Sequence, residues 1–403
     1  MRSVKLQKHR FLEDGALNAF VDSRAVPYWM SLEEQRFYLL DNFDRYYSKP
    51  NTYIIETTPF CNLKCVKCPH HSMRLPRPAA GAKPLPGQAF MTLEEWKYII
   101  DMVSEVSRNA PQPPGIFPAV RGECLMNKDI IPMVAYAANS GHIVKIITNG
   151  NLLTEDKAKG LIDAGLGSII FSLDAVNESQ YDKLQPGGSY RDVVRNIERL
   201  LKLRGGMKRP SVGVLCCQTP ENQDDFQEYL RRWEGQVDTV TASVCYDIEK
   251  GFRPWKVFYP VADRYPCIYL WGSMLIHADG GMALCGIDVS RKYNLGNIFK
   301  GDLLSIWNSE KIHRLREYQM SDKRKEGLCQ ECICWTNPYF IEKIDGDRSW
   351  TIGPQNMSIS HYRPKPLGER AAVRTKKLLL GLGVPSGIIG RLRKFYFKLG
   401  RRH

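Results

Sequence analysis

Three cysteines lie within a stretch of eight residues, at Cys61, Cys65 and Cys68, with the spacing C-x3-C-x2-C. So short a loop keeps three thiolates close enough to bind one soft metal centre. A structural zinc site uses four protein ligands, and an iron–sulfur cluster is usually held by four cysteines. Three cysteines with no fourth nearby therefore favour a [4Fe–4S] cluster with one iron open to another ligand. The alternative is a zinc site completed by His70 or His71.

A second group of cysteines lies further along the chain, at Cys267, Cys285, Cys329, Cys332 and Cys334. Between the first two, the turn Ala278-Asp279-Gly280-Gly281 is flanked by apolar residues and predicts a β-hairpin. An amphipathic helix is predicted to begin at Leu303, before the last three cysteines. The sequence therefore predicts a hairpin between the first two cysteines and a helix before the last three.

The elements that must position these cysteines repeat a pattern of strand and helix. Six short strands, most of them β-branched, are predicted near residues 53–58, 116–120, 142–147, 168–171, 211–217 and 239–245. Helices separate them, and the first of these helices follows a capping box formed by Thr92 and Glu95. Six such alternations predict an α/β fold with a parallel sheet and right-handed crossovers.

Polar residues follow the predicted strands at the ends where parallel sheets bind their ligands. The cysteine loop follows the first strand, Gly122 and Glu123 the second, Asn149 the third, and Ser172 and Asp174 the fourth. Because the carboxyl ends of parallel strands share one rim, we expect all these residues to lie together.

With these motifs the chain resembles the radical S-adenosylmethionine (radical SAM) superfamily. The resemblance implies a partial (β/α)6 parallel barrel over residues 51–250. It implies that a [4Fe–4S] cluster is held by Cys61, Cys65 and Cys68, and that S-adenosylmethionine (SAM) chelates the open iron.

The same resemblance assigns further residues to the cofactor. Gly122 and Glu123 match the glycine–glutamate motif that holds the SAM ammonium group, and Asn149, Ser172 and Asp174 are the remaining cofactor-binding candidates. Lys67 departs from the family pattern, which has an aromatic or large apolar residue near the adenine at this position.

The second cysteine group resembles a SPASM or twitch domain, here residues 251–345, that binds auxiliary clusters. The resemblance implies one auxiliary [4Fe–4S] cluster held by Cys267, Cys285, Cys329 and Cys332, with Cys334 as the alternative to Cys332. A four-cysteine zinc site is the simpler interpretation of the same residues.

Four more cysteines remain, at Cys124, Cys216, Cys217 and Cys245. A buried structural thiol is the default interpretation of each. Cys216 and Cys217 point to opposite faces of one strand, so one of them should face the barrel interior. The resemblance implies that an interior thiol donates hydrogen to a substrate radical, which makes Cys216, Cys217 and Cys245 candidate catalytic residues.

The resemblance implies an oxidoreductase or epimerase that cleaves SAM reductively to a 5′-deoxyadenosyl radical, which abstracts hydrogen from a substrate. Residues 1–50 are predicted to be a short helical lead-in without obvious room for a leader-peptide domain. We therefore expect a small molecule such as a carbohydrate or aminocyclitol, dehydrogenated or epimerised. The alternatives are radical modification of a ribosomally made peptide and a non-catalytic metal-binding scaffold docked on a membrane or nucleic acid. A flavodoxin or ferredoxin is implied as the low-potential electron donor.

Composition agrees with this class of protein. Twelve cysteines in a chain of 403 residues without a signal peptide favour metal ligation in a reducing compartment, and so a cytoplasmic location. The formal net charge of +14 is concentrated in a C-terminal tail, residues 346–403, which has ten Lys or Arg and no Asp or Glu from Arg370 onwards. This basic amphipathic tail suits contact with a membrane surface better than nucleic acid, because no recognition motif accompanies it.

Overall fold

The computed structural model describes residues 49–68, 90–110, 113–244, 267, 269–286, 288, 293–320, 329, 332, 341–345, 348–352 and 356–361. Five of the predictions lie outside the described residues: the helical lead-in, His70 and His71, Cys245, Cys334, and the basic run of the tail.

One mixed sheet of twelve strands forms the frame of the molecule. Its centre is six parallel strands in sequence order, namely β1 Thr52–Ile55, β2 Gly115–Phe117, β3 Ile143–Thr148, β4 Ser168–Ser172, β5 Ser211–Gln218 and β6 Thr239–Val244. The predicted partial (β/α)6 parallel barrel is confirmed, and it stays open, because β1 and β6 each pair with a later strand instead of with each other.

Helices connect the parallel strands, namely α1 Leu93–Ser107, α2 Ile130–Asn139, α3 Glu155–Asp163, α4 Glu178–Leu184, α5 Tyr190–Arg204 and α6 Phe226–Trp233. The predicted capping box begins α1, with Thr92 N donating to Glu95 Oε2 (2.7 Å) and Glu95 N donating to Thr92 Oγ1 (3.2 Å). Alternate strand residues such as Ile146, Phe171 and Val214 are buried in the core against these helices. The opposite faces of the strands line the barrel interior.

The second domain continues the sheet beyond β1. The short helix α7 Tyr269–Gly272 leads into β7 Ser273–Ile276, which pairs in parallel with β1, and into β8 Gly281–Ala283 and β9 Gly296–Asn297, which are antiparallel to their neighbours. Gly280 turns the predicted hairpin with φ +76°, and a Cβ there would lie 2.3 Å from the Phe299 ring. The helices α8 Leu303–Trp307 and α9 Glu310–Met320 follow.

An antiparallel meander continues the sheet at the other edge, beyond β6. It consists of β10 Ile341–Asp345, β11 Arg348–Ile352 and β12 Asn356–His361, and β12 pairs with β6 in the register Ser358↔Thr241. The sequence predicts a tail from residue 346, whereas the structure places two strands there. The period-2 alternation of Met357-Ser358-Ile359-Ser360 is the local pattern that forms the strand. None of the described helices has both the length and the apolar composition needed to cross a membrane.

Candidate functional site

The three-cysteine loop, residues 61–68, lies at the carboxyl rim of the barrel, a few residues after β1. Backbone hydrogen bonds fasten it to the end of α4, with Lys64 N donating to Pro186 O (2.9 Å) and Val66 N donating to Leu184 O (3.1 Å). Leu63 is fully buried and anchors the loop in the protein. Backbone contacts therefore hold the loop, and its three cysteines stay the predicted ligands of a cluster.

The three thiols lie within reach of one another's charge. Burial raises the pKa of Cys61 to about 11 and that of Cys65 to about 12, and the neighbouring thiolates, Cys68 included, add to both shifts. A cationic centre reverses this repulsion and displaces the thiol protons, so the donor set fits an iron–sulfur cluster. Among the described residues no three such side chains are close enough to share a single metal ion.

Glu123 and Asn149, both predicted to bind the cofactor, meet beside this loop. Asn149 N donates to Glu123 Oε2 (2.8 Å), and Asn149 Nδ2 donates to Asn62 Oδ1 (2.9 Å) and towards Cys61 Sγ (3.9 Å). Thr148 Oγ1 donates to Glu123 Oε1 (2.7 Å). These hydrogen bonds connect the residues after β2 and β3 with each other and with Cys61.

The Glu123 carboxylate is engaged by donors of the chain itself. It is buried, and its Oε1 also accepts from Leu125 N (3.1 Å). Burial raises the pKa of Glu123, and the hydrogen bonds from Asn149, Thr148 and Leu125 oppose that shift. Contact between Glu123 and the SAM ammonium group stays a prediction. The observed hydrogen bonds show that Glu123 also connects the loop after β2 with the end of β3.

Gly122 lies where no side chain fits. A Cβ at this position would be 2.1 Å from Thr58 O and 2.5 Å from Phe60 O, both backbone atoms of the segment that leads to Cys61. Glu123 N donates to Phe60 O (2.8 Å) at the same point. The loop after β2 thus packs directly against the backbone of residues 58–60, which precede Cys61. This packing requires glycine at position 122 whether or not Gly122 also contacts SAM.

Lys67 and Asp174 form an ion pair at the same rim. Asp174 is buried, its Oδ2 forms an ion pair with Lys67 Nζ, and its Oδ1 accepts from Cys217 N (2.8 Å). Gln185 fixes the turn after β4, because its side chain accepts from Asp174 N (2.8 Å) and donates to Ser172 O (3.0 Å). The cofactor-binding candidate Asp174 and the unusual Lys67 are therefore partners, which the sequence did not indicate.

A second buried ion pair lies beside the loop, and no motif pointed to it. Glu56 follows β1 and is fully buried, and Arg121 Nε and Nη2 each donate to one of its carboxylate oxygens at 2.7 Å. His277 Nδ1 lies 3.4 Å from Glu56 Oε1, and Ala278 N donates to that oxygen at 3.3 Å. Burial alone would raise the pKa of Glu56, but hydrogen bonds from Arg121 and His277 and their charges lower it to about 2.

The candidate hydrogen donors on β5 are separated by the sheet. Cys216 is buried in the core between sheet and helices, where Asn222 Nδ2 donates towards its sulfur (3.7 Å). Cys217 is half-buried on the opposite face, which lines the barrel interior. The structure therefore places Cys217 with the site residues and Cys216 away from them.

Four cysteines of the second group come together beside α9. Burial raises the pKa of Cys267, and the charges of Cys285, Cys332 and Cys329 raise it further. Cys267 N donates to Gln319 Oε1 (3.4 Å) on α9. Cys285, Cys329 and Cys332 thus each lie within electrostatic reach of Cys267, and their ligation of one auxiliary cluster stays a prediction.

Two sequence profiles match this chain. The profile of the radical SAM superfamily matches residues 55–232, and the profile of SPASM, an iron–sulfur cluster-binding domain, matches residues 267–333. The first covers the parallel strands with the three-cysteine loop, and the second covers the hairpin, the helices and the second cysteine group.

Individual proteins resemble the chain over different lengths. GTP 3′,8-cyclase of Desulforamulus reducens is 30% identical over 167 residues, which are 41% of this chain and 46% of the cyclase, so the chain spans about half the length of such relatives. Mycofactocin maturase MftC of Mycolicibacterium smegmatis is 25% identical over 384 residues, covering 83% of this chain and 91% of the maturase. The structure of Streptococcus suis SuiB bound to precursor peptide SuiA shares the fold, with a TM-score of 0.53 and 14% identity over 74% of this chain and 75% of SuiB.

Proposed function

Because this chain belongs to the radical SAM superfamily and carries a SPASM domain, we propose that it cleaves SAM reductively and abstracts hydrogen from a substrate bound inside the barrel. One observation supports this proposal above the others. The three-cysteine loop, the Glu123–Asn149 contact and the Lys67–Asp174 pair converge on one rim of the parallel strands.

A cluster held by Cys61, Cys65 and Cys68 would supply the electron that cleaves SAM, and an auxiliary cluster held by Cys267, Cys285, Cys329 and Cys332 would take up or return electrons. The residues of the chain bind the cofactors and orient them. Cys61, Cys65 and Cys68 are the proposed ligands of the first cluster. The Asn149 amide, which donates towards the Cys61 sulfur, stabilises negative charge there.

The barrel interior has a wall of hydroxyl groups near Cys217. On β6, Thr239, Thr241 and Ser243 alternate with core residues and so face the interior, and Ser243 is the register partner of Cys217. Ser358 of β12 adds a hydroxyl 3.1 Å from that of Thr241. A wall of neutral donors and acceptors suits a neutral, hydroxylated substrate, which supports a carbohydrate or aminocyclitol as the first candidate.

Cys217 is the described thiol that suits hydrogen return. Its hydrogen atom passes to the substrate carbon radical, which gives an isomer of the substrate and leaves a thiyl radical. One electron from the external donor and one proton from solvent then restore the thiol. Without this transfer, the carbon radical would lose a proton to solvent and an electron to an acceptor, the role proposed for the auxiliary cluster, and the product would have two hydrogen atoms fewer than the substrate.

A peptide substrate is the second candidate. The observation in its favour is the likeness to mycofactocin maturase, which covers 83% of this chain. A ribosomally made peptide would enter the same interior, where the backbone amides of the peptide pair with the hydroxyl groups as readily as a sugar does.

The first experiment uses protein reconstituted with iron and sulfide without oxygen, given dithionite and SAM. We expect about eight irons per chain and formation of 5′-deoxyadenosine, which is lost when Cys61, Cys65 and Cys68 are all changed to Ala. In D2O, an epimerised product gains one deuterium and a dehydrogenated product lacks two hydrogens. Cys217→Ser should stop only the first outcome. Absence of cleavage in loaded protein, with aminocyclitols and peptides both present, would refute the proposed function.

A further inference from the structure

Three segments of the chain meet at the carboxylate of Glu56, and we call Glu56, Arg121 and His277 the Glu56 junction. Glu56 directly follows β1, Arg121 belongs to the loop after β2, and His277 belongs to the hairpin of the SPASM domain. The backbone joins at the same point, because Glu56 N donates to Ile276 O (2.8 Å). At the junction, the radical SAM domain is therefore connected to the SPASM domain by a backbone hydrogen bond and by contacts between charged side chains.

The junction is close to both parts of the predicted SAM site along the chain. Arg121 directly precedes Gly122, and Glu56 precedes Cys61 by five residues. The intervening segment has little freedom, since Thr57 O accepts from Asn127 Nδ2 (3.1 Å) and Phe60 O accepts from Glu123 N. A displacement at Glu56 is therefore transmitted to the first cysteine and to the loop after β2.

The charges make the junction rigid. Glu56 is fully buried, His277 is 1% exposed and the Arg121 side chain 7% exposed, so water screens none of these contacts well. Arg121 grips the carboxylate with two parallel hydrogen bonds, which fix its orientation as well as its distance. Removing one partner leaves a buried charge without full compensation, and the surrounding loops must rearrange to reach water or another donor.

We propose that Glu56 is a positioning residue through which the SPASM hairpin sets the geometry of the SAM site. This inference rests on the proposed function, because it concerns the same cofactor. Its consequence is that His277, a residue of the SPASM domain outside the cysteine motifs, controls SAM binding in the other domain. The auxiliary cluster is unaffected, since none of the three junction residues is among its proposed ligands.

The test compares Glu56→Gln, His277→Gln and Glu56→Asp with a control, all as reconstituted holoenzyme. The control is Asp238→Asn, which removes a different ion pair, with Arg204, at the opposite end of the strands. SAM is titrated into the reduced protein, and its binding is followed by the change in the electron paramagnetic resonance signal of the radical SAM cluster. Iron per chain and the signal of the auxiliary cluster are recorded for every variant.

We expect Glu56→Gln to weaken SAM binding about tenfold, the usual effect of losing a charge-assisted hydrogen bond, and His277→Gln, which removes the 3.4 Å approach of the imidazole to Glu56, to weaken it as well. Glu56→Asp should recover part of the affinity, and Asp238→Asn should bind SAM as the wild type does. If Glu56→Gln does not fold, His277→Gln provides the same test, because it leaves the Glu56–Arg121 pair in place.

Two results would overturn the inference. One is wild-type SAM affinity in both Gln variants, even with lowered thermal stability, which would make the junction structural only. The other is an equal loss in Asp238→Asn, which would show a general effect of destabilisation. Failure of the proposed function is distinguishable from both, since the wild-type signal itself would then not respond to SAM.

Discussion

Replacing Gly122 with Ala should disrupt the three-cysteine loop through a backbone collision. The new Cβ would lie 2.1 Å from Thr58 O, which would have to retreat by about 1.3 Å to reach the 3.4 Å at which ordinary van der Waals contact begins. Phe60 O, at 2.5 Å, would have to move as well. Both atoms belong to the backbone, so no side-chain rotation relieves the contact.

The cost follows from what the displacement breaks. Overpacking of this kind costs about 1–3 kcal/mol, and the retreat of Phe60 O also loses the hydrogen bond from Glu123 N, worth about 1 kcal/mol. We therefore expect a loss of about 2–4 kcal/mol, concentrated on the segment that precedes Cys61. Cluster loading should fall with it, because the first thiolate moves relative to the other two.

The assay counts iron per chain after reconstitution and measures 5′-deoxyadenosine and the thermal unfolding midpoint. Gly206→Ala is the matched control, since a Cβ at Gly206 meets nothing within 4 Å. Unchanged iron and stability in Gly122→Ala, with only SAM binding weakened, would refute the collision and leave Gly122 as a cofactor contact alone.

Three other changes test separate parts of the molecule. Cys285→Ser should lower iron from about eight to about four per chain while 5′-deoxyadenosine still forms. Wild-type protein that holds about four irons and one zinc ion would refute the auxiliary cluster. Lys67→Met leaves Asp174 buried without its cation and should lower the unfolding midpoint, whereas adding Asp174→Asn should restore part of it; additive losses would contradict the ion pair. The lowered pKa of Glu56 means that its ionised form stabilises the fold above pH 4.5, and that this contribution, about 3 kcal/mol, is lost as the pH falls towards 2. The difference in urea unfolding between wild type and Glu56→Gln should therefore shrink from pH 7 to pH 3, and a constant difference would exclude this origin.

The parallel strands and their rim followed from the sequence because each signal is local. The β-branched runs at Ile143–Thr148 and Ser168–Ser172 form strands where they were predicted, and Asn149, after the first of them, contacts Glu123, after β2. Strand direction alone decides this outcome, since parallel strands put their carboxyl ends together. The contact between Asn149 and Glu123 is the clearest instance, because both residues were predicted to lie at this rim from their places after strands.

The two ion pairs could not be found in this way. Lys67 and Asp174 become neighbours only when the cysteine loop folds back over the end of β4, and Glu56 meets His277 only because β7 pairs with β1. Neither contact leaves a periodic or spacing signal, since the partners lie far apart in the chain. Lys67 was visible as a departure from the family pattern, yet its partner was not.

The same long-range pairing explains why the two ends of the parallel sheet belong to the site. An open sheet of six strands has unpaired backbone groups along β1 and β6, which invite association with other chains. In this molecule β7 covers the first edge and β12 covers the second. Each covering strand also brings functional groups, since β7 leads to His277 at the Glu56 junction and β12 adds Ser358 to the hydroxyl wall. Covering the edges and completing the site are thus done by the same strands, so the residues after the barrel cannot be exchanged without altering the barrel interior.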